Sequence, residues 1–266
     1  MSAANARFQI WGRTYEKPKE YTPNMNRKAV VSLDHLRKTY GKTVAVDDLS
    51  FDVYEGEVFG VVGPNGAGKT TALECIEGMR RPDAGTVQVL GLDQPRQANQ
   101  IRRLIGIQFQ EASLQARIKV WEVLDLFASF YGRPADWRRV LSQLGLADKA
   151  KTCFARLSGG QKKRLFVALA LINEPRILFL DEVTAGLDPQ ARRAMWDLIK
   201  GVRDAGRTVL LTTHYMDEAE RLCDRVVFVD KGRAIAIGAP QELARDCGDG
   251  RLDDVFLALA SPKSDD

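Results

Sequence analysis

Two histidines and four cysteines are all the chain offers of the residues that build zinc sites, and no cysteine pair has C-x-x-C spacing. A zinc site or disulfide framework is excluded on that count, and Cys75, Cys153, Cys223 and Cys247 read as free thiols. Long apolar runs are missing as well. The longest, Leu165 to Ile172, falls far short of the ~18–20 residues that cross a bilayer. No signal-peptide pattern opens the chain, so an intracellular protein is expected. No internal repeat is visible. Net charge is also scarce where it would matter. Residues 1–28 hold six Lys or Arg against two Glu, which accounts for the whole formal charge of +4. The rest of the chain is neutral, and no nucleic-acid partner is expected from it. What remains is an ordinary globular composition, 45% hydrophobic and 28% charged over 266 residues, enough for one or two domains.

Residues 1–28 mix Lys, Arg, Pro and Asn with four aromatics and show no sustained period; they read as a polar, basic, mobile extension. From Val30 the alternation is that of strands, through Val31-Leu33-His35, which points His35 inward, and Leu49-Phe51-Val53. From about Leu92 to Leu171 the periods become helical, over Gln97–Leu104, Trp121–Tyr131, Asp136–Leu144 and Gln161–Leu171. Strand and helix then alternate again. Ile177–Leu180 has the unbroken apolar character of a buried parallel strand. Asp188-Pro189 reads as N-cap and first residue of a long helix. Short helices at Gln241–Arg245 and Leu252–Ala260 close the chain.

The centre of this organisation is Gly63-Pro64-Asn65-Gly66-Ala67-Gly68-Lys69-Thr70-Thr71. It fits the phosphate-loop template G-x-x-x-x-G-K-[ST], and it stands between a buried strand and a helix, as the template requires. Glycines let backbone N–H groups close on a ligand, and the helix N-terminus adds positive potential. Lys69 supplies a point charge for phosphates, and the Thr70 hydroxyl can ligate Mg²⁺. A nucleotide site follows. The strand Ile177–Leu180 delivers Asp181 and Glu182 at its C-terminal end, where parallel sheets bind ligands. Asp181 suits Mg²⁺ ligation, and Glu182 suits polarising the water that attacks a γ phosphate. Leu157-Ser158-Gly159-Gly160-Gln161 offers either a second anion-binding corner or a plain helix cap.

Lying between the loop and Leu180-Asp181-Glu182, the run Leu157–Gln161 resembles the signature of the ATP-binding cassette family. Further matches come in the family's order over roughly residues 30 to 240. Tyr40 resembles the aromatic that stacks on adenine, and Gln110 the glutamine that links two lobes. Ala185-Gly186-Leu187-Asp188 resembles the loop after the catalytic acid, and His214 the switch histidine that senses the γ phosphate. Alone, Tyr40 would be a turn aromatic, Gln110 a surface amide and His214 as readily structural. The expected fold is α/β: a P-loop NTPase core with a mixed parallel sheet, an N-terminal antiparallel β subdomain and an inserted α-helical subdomain. Residues 29–250 would form the ATPase domain, with the helical subdomain at about 92–171, and 251–266 a C-terminal helix and tail.

The resemblance implies an ATPase using ATP and Mg²⁺. Gly63 to Thr71 would grip phosphates; Thr70, Gln110 and Asp181 would hold the metal; Glu182, His214 and Gln110 would serve hydrolysis. Ser158, Gly159, Gly160, Gln161 and Asp188 would complete the site of a second ATPase subunit, most simply in a head-to-tail homodimer. An integral membrane permease is the implied partner, on the cytoplasmic face of the plasma membrane, with export favoured over import. A soluble ATPase in a non-transport role and a non-hydrolysing scaffold are the competing readings. Val183 departs from the family, which usually has proline after the glutamate. The run Lys162-Lys163-Arg164 reads as a solvated or dimer-facing helix start.

Overall fold

A computed structural model describes residues 7–10, 13–16, 27–108, 113–131, 136–246 and 251–260. Strands β1 (Arg7–Ile10) and β2 (Arg13–Glu16) pair antiparallel, with Arg7 opposite Glu16 and Phe8 opposite Tyr15. A hairpin therefore lies where a mobile extension is expected. Runs of four residues are too short to declare a period of two. β3 (Ala29–Tyr40) and β4 (Thr43–Tyr54) form a long antiparallel ribbon. β5 (Val58–Val62) then leads through the glycine loop into α1 (Lys69–Glu77). Gly78 ends that helix in the left-handed region at φ 76°, where glycine carries no Cβ penalty.

β6 (Ala84–Val89) and β7 (Leu92–Gln94) complete a four-stranded sheet of order β4-β3-β6-β7. After the short α2 (Ala98–Ile101) comes β8 (Ile105–Gln108), and then α3 (Val120–Ser129), α4 (Trp137–Gln143) and α5 (Gly159–Leu171). The chain returns through β9 (Ile177–Asp181), α6 (Pro189–Asp204), β10 (Thr208–Thr213), α7 (Met216–Leu222), β11 (Arg225–Asp230) and β12 (Arg233–Gly238). α8 (Pro240–Asp246) and α9 (Leu252–Ala260) follow. The second sheet has order β12-β11-β5-β10-β9-β8, parallel except for β12.

That sheet separates two cores. Val58 and Val62, Leu178 and Leu180, and Val209 and Leu211 face a core shared with the helices. Phe59 and Val61, Ile177 and Phe179, and Leu210 face a core shared with the antiparallel sheet and α1. Covering both faces is what makes these strands apolar without alternation. Truncating one such side chain, Phe179→Ala, costs about 3–5 kcal/mol.

The helical reading of 97–104 is corrected to a single turn, and a strand that the sequence did not announce follows it. Only Ala98–Ile101 is helical, and Ile105–Gln108 is an edge strand of the large sheet. Gly106 makes this possible, since a Cβ there would stand 2.1 Å from the Ala170 carbonyl oxygen on α5. His35 is the second correction. It is exposed at φ 51°, and its Nδ1 lies 2.5 Å from Asp48 Oδ1. The β3–β4 register slips between Leu33 and Leu36, which breaks the alternation that pointed His35 inward. Cys75, Cys153 and Cys223 are free thiols, and Cys247 lies outside the described residues. Among the described residues no helix is long and apolar enough to cross a membrane.

Candidate functional site

The loop after β5 is held by close backbone packing. Gly63 N donates to Thr213 O at 3.3 Å, and a Cβ on Gly63 would meet Val229 O at 2.2 Å. Gly68 sits at φ 100° with Ala45 O in the same position relative to its absent Cβ, so no other residue fits either place. The N-terminus of α1 carries no side-chain cap. Its first N–H groups are thus available to an anion. Lys69 lies buried beneath the loop, donating to Gly63 O at 2.9 Å and Pro64 O at 3.0 Å, with Glu182 Oε1 at 3.5 Å. Burial pushes this ammonium below the ordinary lysine value, while Glu182 and Asp181 oppose the shift.

β9 and β10 run side by side and bring the acidic residues to the loop. Thr70 Oγ1 lies 3.3 Å from Asp181 Oδ1, and Thr212 Oγ1 donates to the same oxygen. Burial raises the Asp181 carboxyl above its usual range, and the Thr212 and Thr70 hydroxyls work against that rise. Glu182 N donates to Thr212 Oγ1 at 3.1 Å, and Glu182 sits at φ 44°. Its carboxylate stands between Lys69 and His214, whose Nδ1 is 3.3 Å from Oε1. Behind His214, the Tyr215 ring lies 4.0 Å away between centroids, and the Arg192 guanidinium covers that ring at 4.6 Å.

A cavity of about 410 Å³ opens over this group, lined by Tyr40, Ala45, Asn65, Gly66, Gly68, Lys69, Thr70, Thr71 and Glu182. Tyr40 is exposed at its mouth, with Lys38 and Arg80 each 5.7 Å from the ring centroid. Loop, acids, histidine and aromatic are therefore brought together. The other expected residues are placed elsewhere. Ser158 and Gln161 form a reciprocal cap at the start of α5, with Ser158 Oγ accepting from Gln161 N at 3.3 Å. Gly159 faces open space, and the Cβ position of Gly160 looks onto Ala191. Asp188 caps α6, its carboxylate accepting from Ala191 N at 2.9 Å. Gln110 lies outside the described residues.

Thr70 and Asp181 converge on one point with oxygen atoms alone, and no ion pair to the buried Asp181 carboxylate is formed among the described residues. That donor set fits Mg²⁺, a hard ion that takes one or two protein oxygens beside phosphate and water. Among the described residues there is no cluster of three or more His, Cys, Asp or Glu side chains, so a softer metal has no cage.

Three features escaped the sequence. Thr212 is bonded to both Asp181 and Glu182; its signal was its place at a strand end ahead of His214. The stack of Arg192 on Tyr215 had none. The third is what the cations of 162–164, expected as a solvated or dimer-facing start, meet within the chain. Lys162 covers the Phe154 ring at 5.0 Å, and Arg164 donates to Leu144 O at 3.2 Å. Lys163 donates to Ala185 O at 2.5 Å and lies 3.5 Å from Glu182 O. All three are half-buried and have partners within the chain.

Comparison with known proteins agrees with this geometry. Residues 46–185 match the ABC transporter family model. The Nod factor export ATP-binding protein I of Ralstonia nicotianae is 44% identical over 234 residues, 86% of this chain and 72% of its own length. The protein of the same name from Mesorhizobium japonicum is 42% identical over 85% of this chain and 68% of its own length. A solved ATP-binding subunit of an ABC transporter superposes with a TM-score of 0.78 at 28% identity, covering 87% of this chain and 100% of that one. A bacterial ABC transporter cassette solved as a dimer gives 0.71 at 28% identity, over 79% and 98%.

Proposed function

The chain belongs to the ABC transporter family, and on that premise we propose how its residues bind and hydrolyse ATP. It is an ATP-hydrolysing subunit that powers export through a separate membrane permease. The observation that carries the residue assignment is the Glu182 carboxylate, poised between Lys69 and His214 beside the glycine loop.

Phosphoryl transfer to water asks mainly for positioning and charge stabilisation. In our reading the uncapped start of α1, with Gly66, Gly68, Thr70 and Thr71, grips the phosphates. Lys69 exchanges its carbonyl contacts for β and γ phosphate oxygens. Thr70 and Asp181, with Gln110, would hold Mg²⁺, and the ion would supply positive charge beside the phosphates. Glu182 accepts a hydrogen bond from the attacking water, and His214 turns from Glu182 to the γ phosphate. Tyr40 stacks on the base. Ser158 and Gly160 of one copy complete the site of a second, so that two copies close head to tail around two ATP. The helical lobe, especially residues 111–121, would receive the permease, and the chain would then sit peripherally on the cytoplasmic face of the membrane. Residues 29–250 form the cassette in this reading, 1–28 an extension and 251–266 the C-terminal helix and tail.

Glu182→Gln tests the assignment. The variant should bind MgATP and dimerise in size-exclusion chromatography, with hydrolysis reduced by about 10²–10³, the scale of removing a catalytic group. Wild-type turnover in that variant would remove Glu182 from this role. Co-purification of a multispan partner from detergent-solubilised membranes tests the docking.

A further inference from the structure

The turn that carries Glu182 is conformationally costly and held from several sides. A non-glycine residue at φ 44° persists only when its surroundings over-determine it. On the N–H side the restraint is Thr212, through Oγ1 at 3.1 Å and the carbonyl oxygen at 3.3 Å. On the carbonyl side the turn closes on itself, with Ala185 N donating to Glu182 O at 3.0 Å and Leu187 N to Thr184 O at 3.1 Å. Val183, buried within it, lacks the ring that fixes φ in proline. A further restraint on its backbone comes from another element. Lys163, half-buried on α5, donates to Ala185 O at 2.5 Å and approaches Glu182 O at 3.5 Å.

We propose that Lys163 is a positioning residue for ATP hydrolysis: its ammonium, set on the Ala185 and Glu182 carbonyls, holds the turn that aims the Glu182 carboxylate. It stands five residues after Ser158 on the same helix, which makes α5 a rigid connection between the Ser158–Gln161 corner and the chain's own carboxylate. A shift of the corner on meeting a neighbour's nucleotide is thereby passed to Glu182 through a direct contact rather than through intervening side chains. Removing the ammonium leaves the Ala185 carbonyl without this donor and the turn free to relax. The stem of the lysine can stay in place, so the loss would fall on geometry rather than on packing.

This inference rests on the hydrolytic role given to Glu182 above. Its test is Lys163→Met beside Lys163→Arg in the full chain. The readouts are steady-state ATPase, MgATP affinity and thermal unfolding, together with MgATP-driven dimerisation in a Glu182→Gln background. Lys163→Met should lower kcat by about 10–100-fold, the cost of a misplacement near 1 Å. KM and MgATP affinity should stay within about threefold, and dimerisation in the Glu182→Gln background should be unchanged, since binding uses other groups. Lys163→Arg keeps a cationic donor and should retain at least about a third of wild-type kcat. Unchanged kcat in Lys163→Met overturns the proposal. So does a loss of MgATP binding or dimerisation that matches the loss of activity, or an arginine variant as slow as the methionine one. Turnover of Glu182→Gln alone, measured alongside, tests the preceding assignment separately.

Discussion

Two helix starts in this chain offer themselves to phosphate, and they are built in opposite ways. α1 begins at Gly68 with no side-chain cap, buries Lys69 beneath its first turn, and has Asp181 and Glu182 within reach. α5 begins at Ser158 with a complete reciprocal cap, stands exposed, and turns its nearby cations inward onto its own chain. A helix start with open N–H groups and a buried cation is ready for a charged ligand without help. A capped and exposed one is stable alone, and it can serve a ligand only by adding a hydroxyl proton and one or two N–H groups to a site built elsewhere. In the proposed reading the first corner is a site and the second is a complement to one. That asymmetry suits the head-to-tail dimer that the family resemblance implies.

The largest expected effect breaks the first corner. Lys69→Ala removes the only described cation beneath the loop, and charge-assisted hydrogen bonds to phosphate are worth about 1.5–3 kcal/mol each. MgATP affinity, measured by calorimetry on the purified chain, should fall by about 100-fold, with hydrolysis following it. Affinity within about threefold of wild type would mean that the loop does not grip phosphates as proposed. The second corner predicts a different pattern. Ser158→Asp preserves an excellent helix cap, and its carboxylate would face a neighbour's phosphates. MgATP affinity at concentrations where the chain is monomeric should be unchanged, while ATPase activity falls at least about tenfold through like-charge repulsion. Equal losses in binding and turnover would erase the distinction between the corners.

That distinction was partly visible in the sequence. The loop, Asp181-Glu182 and Ser158–Gln161 are local patterns whose chemistry follows from residue type and order, and the apolar run 177–180 announced a doubly covered sheet. What stayed hidden depends on which strands lie side by side. Thr212 matters because β10 pairs with β9 in a register that sets it against Asp181. Lys163 matters because α5 packs where its stem reaches Ala185, 22 positions away. β8 escaped because four residues give no period, and His35 because a register slip reversed its face. Local patterns found the parts; adjacency decided which part each cation serves.

The two helices also differ at their far ends, and pH should bring this out. α5 ends on apolar residues, whereas α1 ends on Glu77, which is 3% exposed. Burial, with the Asp181 and Glu74 carboxylates adding to it, pushes the Glu77 carboxyl up from 4.5 to about 9. The folded chain therefore holds a proton that the unfolded chain releases. Its stability falls as pH rises from about 4.5 towards about 9. Glu77→Gln removes that dependence. Its melting temperature should exceed wild type by at least about 3 °C at pH 8, with the gap nearly closed at about pH 5. A constant gap across that range would show that Glu77 carries its charge in the fold.

The smallest effect separates the two duties of Ser158. A hydroxyl has one donor and two acceptor lone pairs. Oγ can accept from Gln161 N, as it does here at 3.3 Å, and still donate to a neighbour's phosphate. The cap orients the hydroxyl and need not be broken when the dimer closes. Ser158→Ala loses both duties, and the cap alone is worth about 1 kcal/mol, or roughly 2–4 °C in a domain of this size. Ser158→Asp should keep the wild-type melting temperature to within about 1 °C while remaining slow, because it retains the cap. Thermal unfolding of the two variants, set beside their ATPase rates, then reads each duty by itself. If alanine and aspartate shift the melting temperature equally, the cap contributes nothing and the second corner is held by packing alone. If aspartate hydrolyses as fast as wild type, Ser158 meets no phosphate, and the complementary half of the site must be sought on another surface.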